Sequence, residues 1–261
     1  MKLIYGLLLA SLLVGCSKEE ELLKDSYSYL DLPDQPAQYF VGDNDNIPEL
    51  GRVLFYDKQL SINNSVACAT CHKQALGFAD NVAFSRGFEN VLTKRNSMPI
   101  QNLQNDFFTT FDGIRFVSSS ILFWDGREAS LNTMVLKPLL NHVEMGNFDV
   151  QSLAEKLSTV PYYKPLFKKA FGEETITPER ISTAISSFVR SIRSNNTKFD
   201  QANNNGEQQL SALEQNGQKL FFNIYNCNSC HQVQTPNGYA TAGGGFADIG
   251  YPRQRTRVDH Q

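Results

Sequence analysis

Four cysteines and two histidines stand in two copies of one pattern, Cys68-Ala69-Thr70-Cys71-His72 and Cys227-Asn228-Ser229-Cys230-His231. C-x-x-C-H is the spacing of c-type haem attachment: two thiols add across the vinyl groups of one haem, and the adjacent imidazole ligates the iron. The copies use every cysteine except Cys16 and two of the four histidines. Other paired-thiol chemistries fit less well. The pairs of a zinc ribbon stand about fifteen to twenty residues apart, whereas these are separated by most of the chain. A thioredoxin-like redox pair needs a βαβ context, and the flanks show no buried strand followed by a crossover helix. The pattern predicts two covalent haems, through Cys68/Cys71 with His72 and through Cys227/Cys230 with His231.

Each motif needs an element that delivers it. Gly51-Arg52-Val53-Leu54-Phe55-Tyr56-Asp57 precedes the first copy and Gly217-Gln218-Lys219-Leu220-Phe221-Phe222-Asn223 the second. The shared order of Gly, Leu-Phe, an aromatic, then Asp or Asn is an internal repeat. It implies two cytochrome-c-like units, each with a helix leading to its haem. The first of these helices is expected over Ile47 to Tyr56, with Pro48 near its start. The second is expected to start from a capping box at Ser211 and Glu214. Residues 73–120 have no sustained period and read as loops and short helices. Helix is expected at Ser130 to Leu140, and again from Pro178 to Ile192. There Thr177 is the cap, and Ile181, Ala184, Ile185, Phe188, Val189 and Ile192 form one apolar face. Asn195 to Gly206 reads as a polar junction. Strand patterns are scarce, so the fold class is mainly α, with two haem domains over 47–200 and 201–261, the second incomplete.

The chain has 261 residues and a formal net charge of −3 with no dominant basic stretch, which argues against a nucleic-acid partner. Lys2 and the apolar run Leu3 to Val14 read as a signal peptide, 1–15, too short to span a bilayer as a stable anchor. Leu13-Val14-Gly15-Cys16 resembles a bacterial lipobox, which makes Cys16 a lipid anchor and 16–46 a tether. An ordinary secretory signal with a spare cysteine is the alternative. Both place the protein outside the cytoplasm, in the periplasm or cell envelope, where c-type haem attachment takes place.

Beyond the haem motifs, Arg95-Asn96-Ser97-Met98-Pro99, Phe123-Trp124-Asp125-Gly126-Arg127, Glu144-Met145-Gly146 and the segment from Thr177-Pro178-Glu179 to Phe199-Asp200 occur in one order. From about Glu49 to His231 the chain resembles the bacterial dihaem cytochrome c peroxidase family, which includes the MauG-like enzymes. The resemblance implies that the first haem reacts with peroxide and the second relays electrons to it. It gives Glu144 the acid/base role over the first haem, where a carboxylate takes a proton from one peroxide oxygen and returns one to the other. It places Trp124 between the haems as an aid to electron transfer, with Phe123 and Arg127 nearby; judged alone, a single tryptophan is a large core side chain. Asn96 matches a position that helps bind a calcium ion. A homodimer is compatible with the family.

Two departures qualify the match. Many peroxidase members carry a histidine in the loop before Arg95-Asn96 that blocks the first haem until reduction. Here that loop reads Ser85-Arg86-Gly87-Phe88-Glu89, and no histidine occurs from Lys73 to Asn141. His142 is the spare imidazole nearby, read as a pocket or surface residue. The first haem is therefore expected to be open without activation. Secondly, family members continue well past the second motif, so a C-terminally truncated sequence is expected. The function expected is reduction of hydrogen peroxide to water with electrons from a cytochrome c or a copper protein, in a protein held at the membrane by its lipid. The alternatives are a MauG-like oxidase of a protein substrate and a dihaem electron carrier without peroxide chemistry.

Overall fold

Apolar residues at positions 50, 53 and 54 give one face to the helix that Pro48 opens. In the computed structural model this helix is α1, Asn46–Tyr56. The structure describes residues 21, 23–26, 28–30, 32, 46–103, 108–111, 116–119, 122–193, 197–205, 209–229, 234–235 and 238–239. After α1 come the single turn α2, Cys68–Cys71, and a hairpin of β1, Phe108–Phe111, with β2, Phe116–Ser119, in which Phe108 stands opposite Ser119. Then follow α3, Leu131–Met134, α4, Leu136–Leu140, α5, Val150–Ser158, α6, Tyr163–Phe171, and α7, Pro178–Ser191. The chain goes on through α8, Lys198–Asn205, and α9, Ala212–Lys219, to a two-residue pairing of β3, Gln234–Thr235, with β4, Gly238–Tyr239. The architecture is mainly helical. It divides into one unit of residues up to Asp106 with Leu122–Ser194, and another of Phe107–Ile121 with Asn195–Gln261.

The first unit is built on α1 and α7. Thr177 Oγ1 accepts the Arg180 N–H at 3.3 Å and Pro178 stands at the first helical turn, so α7 starts where the sequence predicts. Its expected apolar face, Ile181, Ala184, Ile185, Phe188, Val189 and Ile192, is buried throughout. The two helices cross at Gly51. A Cβ there would lie 1.9 Å from the Ala184 carbonyl oxygen, so the backbones touch and any side chain at 51 would force them apart. Phe55 then packs on Phe188 at 5.1 Å between ring centroids and on Phe78 at 6.1 Å.

Helices α5 and α6, which the patterns above do not anticipate, complete this core with Leu153, Leu157, Tyr163 and Phe167. They also satisfy a buried carboxylate at the end of α1. Asp57 accepts the hydroxyls of Tyr162 at 2.5 Å and Tyr163 at 2.6 Å, together with the Gln59 N–H at 2.8 Å. This cluster ties the end of α1 to the start of α6.

Three expectations need correction. The helix over Ser130 to Leu140 is two short helices divided at Val135. The stretch 73–120 includes the β1–β2 hairpin. The polar junction Asn195 to Gly206 contains α8, because the Thr197 N–H and hydroxyl bind the Asp200 carboxylate at 2.8 and 2.6 Å and so nucleate a turn.

In the second unit the capping box appears as expected, with Glu214 Oε2 accepting the Ser211 N–H at 2.7 Å and Ser211 Oγ accepting the Glu214 N–H at 3.4 Å. Phe222 stacks on Phe199 with centroids 6.3 Å apart. These rings line an open apolar groove of about 440 Å³ with Leu210, Gly217 and Phe221. The internal repeat thus packs differently in its two copies: among the described residues nothing lies within 4 Å of a Cβ built on Gly217.

Candidate active site

Helix α2 is one turn long, so Cys68 and Cys71 at i and i+3 share a face. Its start is fixed locally. Ser61 Oγ accepts the N–H groups of Ser65 and Val66 at 3.0 Å, and Thr70 Oγ1 accepts that of Ala67 at 3.0 Å. Both thiols are free of disulfide. Burial pushes Cys68 up to about 12, with the Cys71 and Glu144 charges adding to it, and burial raises Cys71 as well. Among the described residues no three His, Cys, Asp or Glu side chains converge on a point. Two thiols on one turn, directly ahead of an imidazole, suit covalent addition to a bound cofactor.

His72 ends this turn, its N–H on the Cys68 carbonyl at 2.9 Å. Its ring Nδ1 lies 3.0 Å from the Phe78 carbonyl oxygen. A carbonyl only accepts, so Nδ1 carries the proton and Nε2 keeps the lone pair that an iron ion takes. Burial lowers the pKa of His72, against the carbonyls of Phe78 and Met98 and the Asp80 charge, which keeps the ring neutral as a ligand must be. The carbonyl that orients the ring is itself held. The Phe78 N–H binds the Lys73 carbonyl at 2.9 Å, the Lys73 N–H binds that of Ala79 at 3.0 Å, and the Phe78 ring is packed into the core against Phe55. Core packing therefore sets the imidazole's tautomer and aim.

Beside His72, Asp80 accepts from Lys73 Nζ at 2.7 Å, from the Asn81 N–H at 2.8 Å and from Ser85 Oγ at 2.6 Å. Burial pushes its carboxyl up, but these partners together hold it below the usual range. Ser85 Oγ also lies 2.9 Å from Ser97 Oγ. Nothing in the sequence pattern marked Asp80 or Ser85.

Glu144 sits in a turn wound on Asn141, whose carbonyl accepts the N–H groups of Glu144, Met145 and Gly146. The Asn141 side chain accepts the Val143 N–H at 2.9 Å and donates to Glu144 Oε1 at 3.0 Å. Buried Asn147 ties the end of the turn down, donating to the carbonyls of Leu60 at 2.7 Å and Leu139 at 2.9 Å. Burial raises the Glu144 pKa, and the Arg127 charge opposes it. Arg127 lies 3.9 Å over the Phe123 ring and pairs with Asp125 at 2.7 Å, and Arg95 meets the same carboxylate at 2.8 Å. The Ile62 N–H binds the Met145 carbonyl at 3.0 Å, next to the Ser61 that caps the lead-in to α2, so the turn bearing the predicted acid/base group is fastened just ahead of the first pair of thiols.

Trp124 is 52% exposed, which corrects its reading as a core side chain; its indole N–H donates to the Asn96 carbonyl at 2.8 Å. Asn96 Nδ2 donates to the Val82 carbonyl at 2.7 Å. His142 is exposed in the Glu144 turn. Cys227 opens a 3₁₀ turn, Cys227–Ser229. Cys16, Cys230 and His231 lie outside the described residues.

Residues 45–209 match the family described as di-haem cytochrome c peroxidase. The chain is 33% identical over 205 residues to the methylamine utilization protein MauG of Methylophilus methylotrophus, a match covering 78% of this chain and 56% of that one. It is 30% identical over 219 residues to the cytochrome c551 peroxidase of Nitrosomonas europaea, covering 84% and 59%. The crystal structure of a MauG-like protein associated with microbial copper homeostasis superposes with a TM-score of 0.60 at 29% identity, covering 76% of this chain and 55% of that one. The chain thus spans little more than half the length of the proteins it matches.

Proposed function

This chain belongs to the di-haem cytochrome c peroxidase family, and on that premise we propose that it reduces hydrogen peroxide to water with electrons from a small redox protein. Cys68 and Cys71 would bind one c-type haem covalently, with His72 Nε2 as its ligand, and Cys227 and Cys230 with His231 would hold a second. Bound haem supplies the iron at which peroxide is taken up and the route by which electrons arrive. The residues present suit it, since the thiols share a face and the imidazole carries its proton on the nitrogen that faces Phe78.

The observation that carries the reading is Glu144, a half-buried carboxyl held by Asn141 in a turn that Met145 fastens to Ile62, just ahead of the thiols. There it takes a proton from one peroxide oxygen and returns one to the other. The O–O bond then breaks with two electrons and two further protons taken up and two waters released. Asn141 orients the carboxyl for this, and the aromatic-stacked Arg127 keeps a positive charge in its range. The test is steady-state peroxide consumption by the fully oxidised protein, without pre-reduction, with a reduced cytochrome c or copper protein as donor. Two donor equivalents oxidised per peroxide is the expected result, and donor oxidation no faster than in an enzyme-free blank rules the proposal out. A MauG-like oxidation of a protein substrate is the second reading, favoured by the 33% identity to a MauG protein. It would show as peroxide consumption with a protein substrate but with no small donor.

The proposal also places the chain at the cell envelope through a lipid on Cys16. Cys16→Ser is expected to move the protein out of the membrane fraction or to stall its processing; unchanged partitioning and processing would exclude the anchor.

A further inference from the structure

We propose that Gly87 and Phe88 are positioning residues for Glu144, an inference that rests on the acid/base reading of that carboxyl. The loop that carries them is closed on itself: the Thr93 N–H binds the Ser85 carbonyl at 2.8 Å, the Ser85 N–H binds Thr93 Oγ1 at 3.0 Å, and the Gly87 N–H binds the Val91 carbonyl at 2.9 Å. One end is fastened beside His72, because buried Ser85 donates to Asp80, and Asp80 holds Lys73, the residue after His72.

The other end is fastened to the Glu144 backbone. The Phe88 N–H donates to the Glu144 carbonyl at 2.9 Å. A Cβ on Gly87 would lie 2.1 Å from the Val143 carbonyl oxygen and 2.9 Å from Glu144 Cα, so the loop backbone lies directly on the backbone that bears the carboxyl. The Phe88 ring presses on Gly146 from the same loop, and Ile62 holds the turn as well, with its side chain on Gly146 and its N–H on the Met145 carbonyl at 3.0 Å. Glu144-Met145-Gly146 is thus gripped between Phe88 and Ile62. Three residues, Ser85 to Gly87, link this grip to the Asp80 cluster, so the loop sets the position of Glu144 relative to His72 and the thiols. Its glycine is required for contact rather than for an unusual backbone angle, since its φ is −101°.

The test uses the haem-loaded protein and the variants Gly87→Ala, Glu144→Gln and their combination. Gly87→Ala must push the Glu144 backbone away, and a shift of about 1 Å in a reacting group can cost on the order of a hundredfold in rate. The second-order constant for peroxide is expected to fall by roughly ten- to a hundredfold. The constant for the electron donor is expected to hold, whereas a general loss of folded protein would lower both. Amide hydrogen exchange at Phe88 should speed up in the same variant, a readout independent of turnover.

In the Glu144→Gln background, Gly87→Ala should add less than about twofold, since residues acting through one group are not additive. If Gly87→Ala does not fold, Phe88→Ala removes the ring from Gly146, leaves the loop backbone alone, and should give the same selective loss. A normal peroxide constant in these loop variants, with Glu144→Gln slow, overturns this inference alone. So does a full multiplicative loss in the combined variant. No effect of Glu144→Gln by itself overturns the acid/base reading and this inference with it.

Discussion

Glu144→Gln lowers the second-order rate constant for peroxide by about a hundred- to ten-thousand-fold, the range typical of a lost general acid/base group, while both haems remain attached. The amide occupies the same space and can still meet Asn141, but it takes up no proton. Burial raises the Glu144 pKa above its ordinary value of 4.5. The acid limb of the parent's pH–rate profile therefore lies above the usual carboxylate range, and it is absent from the variant. Stability moves the other way. A carboxyl whose pKa is raised on folding contributes its full stability below the unfolded value, and this contribution is lost as pH rises through the folded value. At neutral pH the parent carries a half-buried charge that glutamine lacks, so the variant should melt no lower than the parent there and lose any advantage in acid. Thermal unfolding at the two pH values separates chemistry from misfolding. Full peroxide turnover by the variant would move the acid/base role to another group.

How much of this was legible in the sequence depends on the range of the interaction. Local signals worked: Thr177-Pro178 started α7, Ser211 and Glu214 formed their capping box, and the apolar spacing from Ile181 to Ile192 marked the buried face. Helices α5 and α6 carry local signals of the same kind. Asp149 caps the Ser152 N–H at 2.7 Å, Gly172 ends α6 at φ 81°, and Tyr163, Leu166, Phe167 and Ala170 repeat at helical spacing. The Asp57 cluster was not legible, because its tyrosines are 105 and 106 residues away. The grip on Glu144 was hidden for the same reason, since a glycine at 87 says only that something comes close, and the turn it touches begins at Asn141. Resemblance supplied Glu144 itself, but not the contacts that hold it.

Cys68→Ser combined with Cys71→Ser removes one covalent haem from the mass measured after acid denaturation, whereas either change alone leaves that haem on one bond. The reason lies in the geometry of α2. Its two thiols share a face, and no other cysteine of the first unit's described residues can replace them. His72 does not rescue the covalent count. It would hold the iron through Nε2, a coordination that acid breaks by protonating the ring. His72→Gly is accordingly the complementary variant, with an unchanged covalent mass and an altered iron spectrum. Metal analysis of the parent separates the haem assignment from a zinc use of the same thiols. Two haems still covalently attached in the double serine variant, or zinc found in the parent in place of haem, would remove the organising assignment of the chain.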